Sequence, residues 1–445
     1  MGVVRLTAVD TVEVSLRQRA RSLLFLLGIA SASLLLAIET VVVGTACLSA
    51  PPAGARWLLA LRPNDPQSQF QLARLLETSH PTRSLEYLHR ATELSPYSRF
   101  YLFRLANACE SAGDPACADW ARQRLLQLCP MVPLYYWYAA QRDLRMGRED
   151  EAFAQYRRLL ELDPTYATST WESLRAVESP DVIYRKIFVD RVDPQLAISY
   201  VNFLNARDEG DAAFNAWNQT VAKGGSFPLA LARPYLESLI GDGKMVQAVQ
   251  VWKDLQQIDV VRRPASDDPK NMVFNGEFET FPLNLGFDWR WGKLDYLAID
   301  FSAPDAHRGA HCLRLDFTGS RNQEFEPVYQ VVPVSPNHTY RLEAYVRSED
   351  ITSDTGPVLR VSDTQSAGFA DAVTETTVGT TPWHPVRVDF TTGPKTQAAR
   401  LSVWRPRGRT FPTEISGSFW LDEVSIKCLD CDSTAGTEQS LATQN

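Results

Sequence analysis

Two periodicities divide this chain. Between Trp57 and Val260 apolar residues recur three and four positions apart, as one face of a helix requires. From Asn271 onward they alternate with polar residues, as a strand with one wet side requires. The helical half also repeats. Pro96, Pro130 and Pro164 close the segments ATELSP, LLQLCP and LLELDP at intervals of 34 residues, and the clearest copy is Gly147 to Pro164, GREDEAFAQYRRLLELDP. Self-similarity at that period marks stacked repeats. In the unit after Pro96, Leu102, Leu105, Ala106 and Cys109 form one apolar stripe, Gly113-Asp114-Pro115 turns the chain, and Ala118, Arg122 and Leu125 follow before Pro130. The next unit places Tyr136, Ala139, Ala140, Gly147, Ala152, Tyr156 and Leu159 in the same order.

These residue types have physical reasons. Ala140 and Ala152 are small where two helices must approach closely, so enlarging either overpacks the contact by about 1–3 kcal/mol. Tyr156 fills the space one turn on, and the prolines stop each second helix because they lack a donor. Ala213 with Trp217 and Ala248 with Trp252 repeat the small-plus-aromatic pair 35 residues apart, with turns expected at Gly210-Asp211 and Gly241-Asp242-Gly243. Phe70 to Leu94 is a first copy, giving roughly five helical hairpins over residues 57–260, irregular at the ends. The pattern resembles the tetratricopeptide repeat family, departing from it at Arg122, where an aromatic is expected; the alternative is an unrelated helical bundle. The resemblance implies a concave face, built by the first helix of each hairpin, that takes an extended peptide or a partner helix. On it fall Phe103, Asn107, Trp137 and Gln141. The members that clamp a C-terminal carboxylate use Lys where this chain has aromatics, so that ligand is not expected. The competing reading is that Phe103 and Trp137 pack between repeats.

A polar, proline-bearing stretch at 261–270 reads as a linker. Beyond it, Leu313, Leu315 and Phe317, then Tyr340, Leu342, Ala344 and Val346, then Val386, Val388 and Phe390 alternate with polar residues, and Gly, Pro, Asn and Ser turns separate the runs. An antiparallel β-sandwich over residues 271–429 follows. The opening NMVFNGEFE, the Gly286-Phe287-Asp288-Trp289 and Ala306-His307-Arg308-Gly309 turns, and the closing FWLDEVSI resemble carbohydrate-binding-module-like domains of the galactose-binding jelly-roll superfamily. That resemblance implies a structural calcium held in part by Glu279 and Asp422, although a hard cation wants six to eight oxygens; no other cofactor is implied. Trp404 and Tyr345 alternate out of phase with the core set, so a glycan platform is expected to use both. Trp289, Trp291 and Trp383 fall in loops, as a rim or as plugs.

At the N-terminus Arg17, Arg19 and Arg21 precede a 21-residue apolar run, Leu23 to Val43, interrupted by Glu39. This length crosses a hydrocarbon core, and the basic flank keeps residues 1–21 in the cytoplasm, with the anchor at 22–48 and the bulk outside. A cleaved signal peptide, with Gly44-Thr45-Ala46 before Cys47, is the alternative. A net charge of −8, from 45 basic and 53 acidic residues, argues against a nucleic-acid partner. The seven cysteines are too few and irregular for a disulfide framework, but Cys109 with Cys117 can bridge one hairpin. Cys428-x-x-Cys431 lacks a second ligand pair for zinc and reads as a local disulfide or two thiols. His307 and His311 read as surface residues of a loop. No catalytic fingerprint appears.

The expectation is therefore a multidomain, non-enzymatic chain: a single transmembrane helix in a bacterial inner (cytoplasmic) membrane, an all-α tetratricopeptide-like solenoid, an all-β jelly roll and a disordered tail at 430–445. The repeats would hold a protein partner and the sandwich a polysaccharide, in surface polysaccharide assembly or export. A purely structural sandwich and an enzyme with an unrecognised carboxylate site are the alternatives.

Overall fold

The computed structural model describes residues 21–38, 40–41, 62–189, 193–264, 268, 270–364 and 371–431. The expectations for residues 1–20, Glu39, Cys47 and its neighbours, Trp57, part of the linker and the tail from 432 onward lie outside these residues. Helix α1 (Arg21–Ile38) has 18 residues and is apolar and long enough to cross a membrane, with its side chains exposed. A signal sequence has the same character.

The backbone divides into two compact units, Met1–Asp163 and Pro164–Asn445. In the first, α2 (Pro66–Leu76) pairs with α3 (Pro81–Leu94), α4 (Arg99–Ser111) with α5 (Pro115–Leu128), and α6 (Pro133–Arg145) with α7 (Glu149–Leu162). Asp65, Ser98 and Asp114 cap α2, α4 and α5 by accepting from the backbone N–H groups of Ser68, Tyr101 and Cys117. Gly113 and Gly147 turn two of the hairpins at φ 74° and 69°, a left-handed conformation that costs glycine little. Ala140, Ala152 and Tyr156 are fully buried between α6 and α7. Where the repeat pattern breaks, Arg122 reaches across to Asp143, a fully buried carboxylate on α6, and lies 3.0 Å from Asp119. Arg142 and Arg148 converge on the same Asp119. An ion network thus joins α5, α6 and the start of α7 in place of an aromatic ring.

The second unit begins with α8 (Ala167–Arg175) and α9 (Pro180–Ile187), followed by α10 (Pro194–Asn205), α11 (Gly210–Ala222), α12 (Leu229–Gly241) and α13 (Met245–Gln257). The α8–α9 pair is additional to the five expected hairpins. At nine and eight residues its helices are too short to carry the full pattern, and Trp171 and Tyr184 supply its buried aromatics. The turn before α11 also differs from expectation. Gly210 is already helical, and Asp208 takes the left-handed position at φ 60°, which a short polar side chain tolerates.

The sandwich has two five-stranded antiparallel sheets. One orders β1 (Arg290–Trp291), β4 (Phe325–Pro333), β9 (Ala398–Arg405), β6 (Val358–Asp363) and β7 (Ala372–Val373). The other orders β2 (Leu297–Ala303), β3 (Cys312–Thr318), β10 (Ser416–Cys428), β5 (Thr339–Ile351) and β8 (Gly379–Thr391). Leu313, Leu315, Leu342, Val346, Val386, Leu401 and Val403 are buried between them, as the alternation requires. Trp289 plugs the core, donating to the Asn275 carbonyl at 3.0 Å. Trp291 and Trp383 stand in β1 and β8 rather than in loops.

Within this unit the sandwich meets the last helices. Trp252 of α13 contacts Phe274 and Phe287 at ring separations of 5.3 and 5.9 Å. Glu237 of α12 accepts from Arg290 at 2.7 and 3.0 Å and from the Gly286 N–H at 2.8 Å.

Candidate functional site

On the repeats, the four candidate residues occupy equivalent positions of α4 and α6. Phe103 is half-buried, its ring 5.7 Å from Tyr135 and 5.1 Å from Tyr138 of the following hairpin. Trp137 is half-buried and sets its edge toward Tyr156 at 5.9 Å, while Gln141 donates to the Tyr156 hydroxyl at 2.8 Å. Asn107 is exposed. The two large rings therefore make inter- and intra-repeat contacts while keeping part of their surface. Phe100 and Leu134 lie one turn earlier on the same stripe and are exposed. Sequence reasoning passed over them, although they share the 34-residue spacing of Phe103 and Trp137.

On the sandwich, the structure separates the two predicted platform residues. Trp404 is on β9 and Tyr345 on β5, which belong to different sheets, so their outward faces point away from each other. Neither ring is bare. On the β9 sheet, Arg360 sits over Trp404 at 4.9 Å and Arg400 over Tyr329 at 3.7 Å, and Glu326 pairs with both arginines at 3.6 and 3.1 Å. On the β5 sheet, His307 stacks on Tyr345 at 3.9 Å, and Arg314 and Arg347 cover the buried Trp420 at 5.0 and 4.5 Å. Guanidinium over a ring is a favourable cation–π arrangement, so an approaching ligand meets hydrogen-bond donors before it meets the ring.

A cleft of about 550 Å³ opens at the β1–β4 edge of the first sheet, lined among others by Trp291, Tyr296, Tyr329, Glu324, Glu326 and Arg290. That volume lies in the range of small-ligand sites. Trp291, Tyr296 and Tyr329 are half-buried and its carboxylates are oriented: Glu324 accepts from the Trp404 Nε1–H at 3.1 Å, which ties Trp404 to the rim. Tyr329 and Tyr296 were not singled out from sequence. Tyr329 stands out of phase with the buried Val328 and Val332, the signal that had identified Trp404.

Glu279 and Asp422 act on one loop. Asp422 accepts from the His307 and Arg308 amides at 2.9 and 3.0 Å and from its neighbour Glu423, and Glu279 accepts from the Ala310 and His311 amides at 2.7 and 3.3 Å. Burial pushes the Asp422 carboxyl up to about 6 despite those N–H donors. Both Asp422 oxygens and one Glu279 oxygen are thus engaged by N–H groups of this loop and of Glu423.

No curated protein matches this chain. Among solved structures, a family 16 carbohydrate-binding module is similar at 18% identity over 35% of this chain and 99% of that one, with a TM-score of 0.25. MamA is similar at 16% identity over 39% and 85%, with a TM-score of 0.26. PilF of Pseudomonas aeruginosa is similar at 16% identity over 43% and 91%, with a TM-score of 0.24. Residues 270–410, which build most of the sandwich and the whole β1–β4 cleft except its Arg233 wall, match the carbohydrate binding domain family.

Proposed function

We propose that this chain is a binding scaffold whose sandwich takes a glycan in the β1–β4 cleft and whose repeats hold a protein partner along the Phe100–Phe103 and Leu134–Trp137 stripe. The observation that carries the reading is the cleft itself: three half-buried aromatics, oriented carboxylates and a guanidinium, inside the stretch that matches a carbohydrate-binding family. Half-buried rings supply stacking area, and fixed charges supply hydroxyl-directed hydrogen bonds. The carboxylates there are held by Trp404, Arg360 and Arg400, which suits recognition better than acid–base catalysis.

The apolar α1 and its basic flank would tether the chain in an inner membrane with its bulk outside the cytoplasm, a setting that fits assembly or export of a surface polysaccharide. The deciding measurement is affinity electrophoresis of the detergent-solubilised chain against a panel of polysaccharides. Retardation by at least one, weakened roughly two- to tenfold by Tyr329→Ala or Trp404→Ala, is expected. Unaltered mobility in every gel refutes glycan binding. Loss of co-purified or crosslinked partners in Trp137→Ala tests the repeat stripe separately. A second reading, in which the sandwich is a structural cap, draws on its packing against Trp252 and Glu237, and it is favoured if no glycan binds.

A further inference from the structure

We propose that Cys428, Cys431, His338 and Asp430 form a zinc site in the dithiol state of this protein, fastening the end of β10 to the turn that precedes β5. The CxxC pair alone offers two ligands where a tetrahedral site needs four. Asp430 lies inside the motif itself, and folding supplies the fourth, His338, from distant sequence. Cys428 pairs with Tyr340 at the start of β5, and Leu429 donates to the Thr339 carbonyl at 2.8 Å, so the end of β10 lies beside His338.

One ligand atom from each of the four residues lies within 4.8 Å of the others. His338 Nδ1 is 3.0 Å from Asp430 Oδ1, and Cys428 Sγ is 3.4 Å from that same oxygen. Zinc bonds of about 2.0–2.3 Å directed to tetrahedral corners place ligand atoms roughly 3.3–3.8 Å apart. The imidazole and carboxylate therefore stand close to coordinating distance already. Two sulfurs, one nitrogen and one oxygen select a borderline-soft cation over calcium or magnesium.

The surroundings orient these groups. The Thr339 N–H donates to both Asp430 oxygens at 3.2 and 3.1 Å, and the His338 N–H donates to the Thr392 hydroxyl at 3.0 Å. Such outer hydrogen bonds fix ligands in metal sites. All four residues are half-buried, so an ion can reach them from solvent.

Cys428 and Cys431 form a disulfide in the structure, and the bridge and the metal are alternative states. A dithiol reductant delivers two electrons and two protons to the S–S bond and leaves as its own disulfide. The cation then displaces the two thiol protons and binds the thiolates. The His89, Cys109 and Cys117 group offers only three ligands and serves as an internal comparison.

The test is a cobalt titration of the purified full chain, reduced with a dithiol and desalted anaerobically. Thiolate-to-metal charge-transfer bands together with tetrahedral d–d bands, displaced by zinc, are expected. His338→Ala and Asp430→Ala should each weaken binding by about tenfold or more, Cys431→Ser should remove the charge-transfer bands, and Cys117→Ser should leave them in place. Circular dichroism of the metal-free variants checks that each is folded. Absence of thiolate bands in the reduced chain overturns the proposal, and so do an unchanged cobalt affinity in His338→Ala and Asp430→Ala or loss of the bands in Cys117→Ser.

Discussion

Asp119 and Asp422 carry the same carboxyl in opposite environments, and acid acts on them in opposite directions. Burial would raise Asp119, but hydrogen bonds from Arg142 and Arg148 and the charges of Arg142 and Arg122 prevail and hold it below its ordinary 3.8. Its contribution to stability is present above that value and is lost as pH falls further. Asp422 is raised to about 6, chiefly by burial. The native state then binds its proton more tightly than the unfolded chain, so the group favours folding increasingly as pH falls from about 6 to 3.8. Denaturant unfolding of the wild type and Asp422→Asn over a pH series should show the wild type gaining relative to the variant across that window, with a constant difference on either side. A difference that does not change with pH removes the raised carboxyl. The sequence pointed to Asp422 through a family motif, but its environment was not legible, because the loop at 306–311 that covers it is more than a hundred residues away.

At the scale of elements, local patterns were read well where one turn or one helix face decided the outcome. Gly113 and Gly147 turn hairpins as their spacing implied, and Leu342, Val346, Leu401 and Val403 face the core. Alternation also put Trp404 and Tyr345 outward correctly. It could not say on which sheet each lies, since that depends on a strand order that no local pattern encodes. Arg122 is the sharper case, a position that looked like a defect in the repeat and proves to be one end of an ion pair with the fully buried Asp143 of the next hairpin. Removing one partner of a buried pair leaves a charge uncompensated and typically costs about 3–5 kcal/mol, whereas apolar residues of similar volume are often tolerated. Arg122→Ala, which strips the buried Asp143 of its ion-pair partner, should therefore destabilise the first unit strongly in urea unfolding, and Arg122→Phe combined with Asp143→Leu should recover most of the loss. Equal stability of Arg122→Ala and wild type would show that the pair holds nothing together.

For the molecule as a whole, the change of hydrophobic period near residue 261 marks where helices give way to strands, yet the compact unit runs from Pro164 to the end and includes the last six helices. The reason lies in apolar surface shared across that change. Phe274 and Phe287 are buried against Trp252, Gly286 adopts φ 60° with no room for a Cβ beside the Trp252 ring, and Arg290 is neutralised by Glu237. Periodicity reports which residues share one element's face and is blind to which other element covers that face, so this association was not legible. Burial of one large side chain is worth about 1.5–3 kcal/mol, and a sandwich cut free at residue 270 gives up part of that for Phe274 and for Phe287 while exposing an unpaired Arg290. A fragment of residues 164–431 should therefore unfold at a clearly higher denaturant midpoint than one of residues 270–431, and the shorter fragment should bind a hydrophobic dye that the longer one does not. Coincident midpoints and no dye binding would mean that the sandwich is complete by itself and that the helices beside it contribute nothing to its stability.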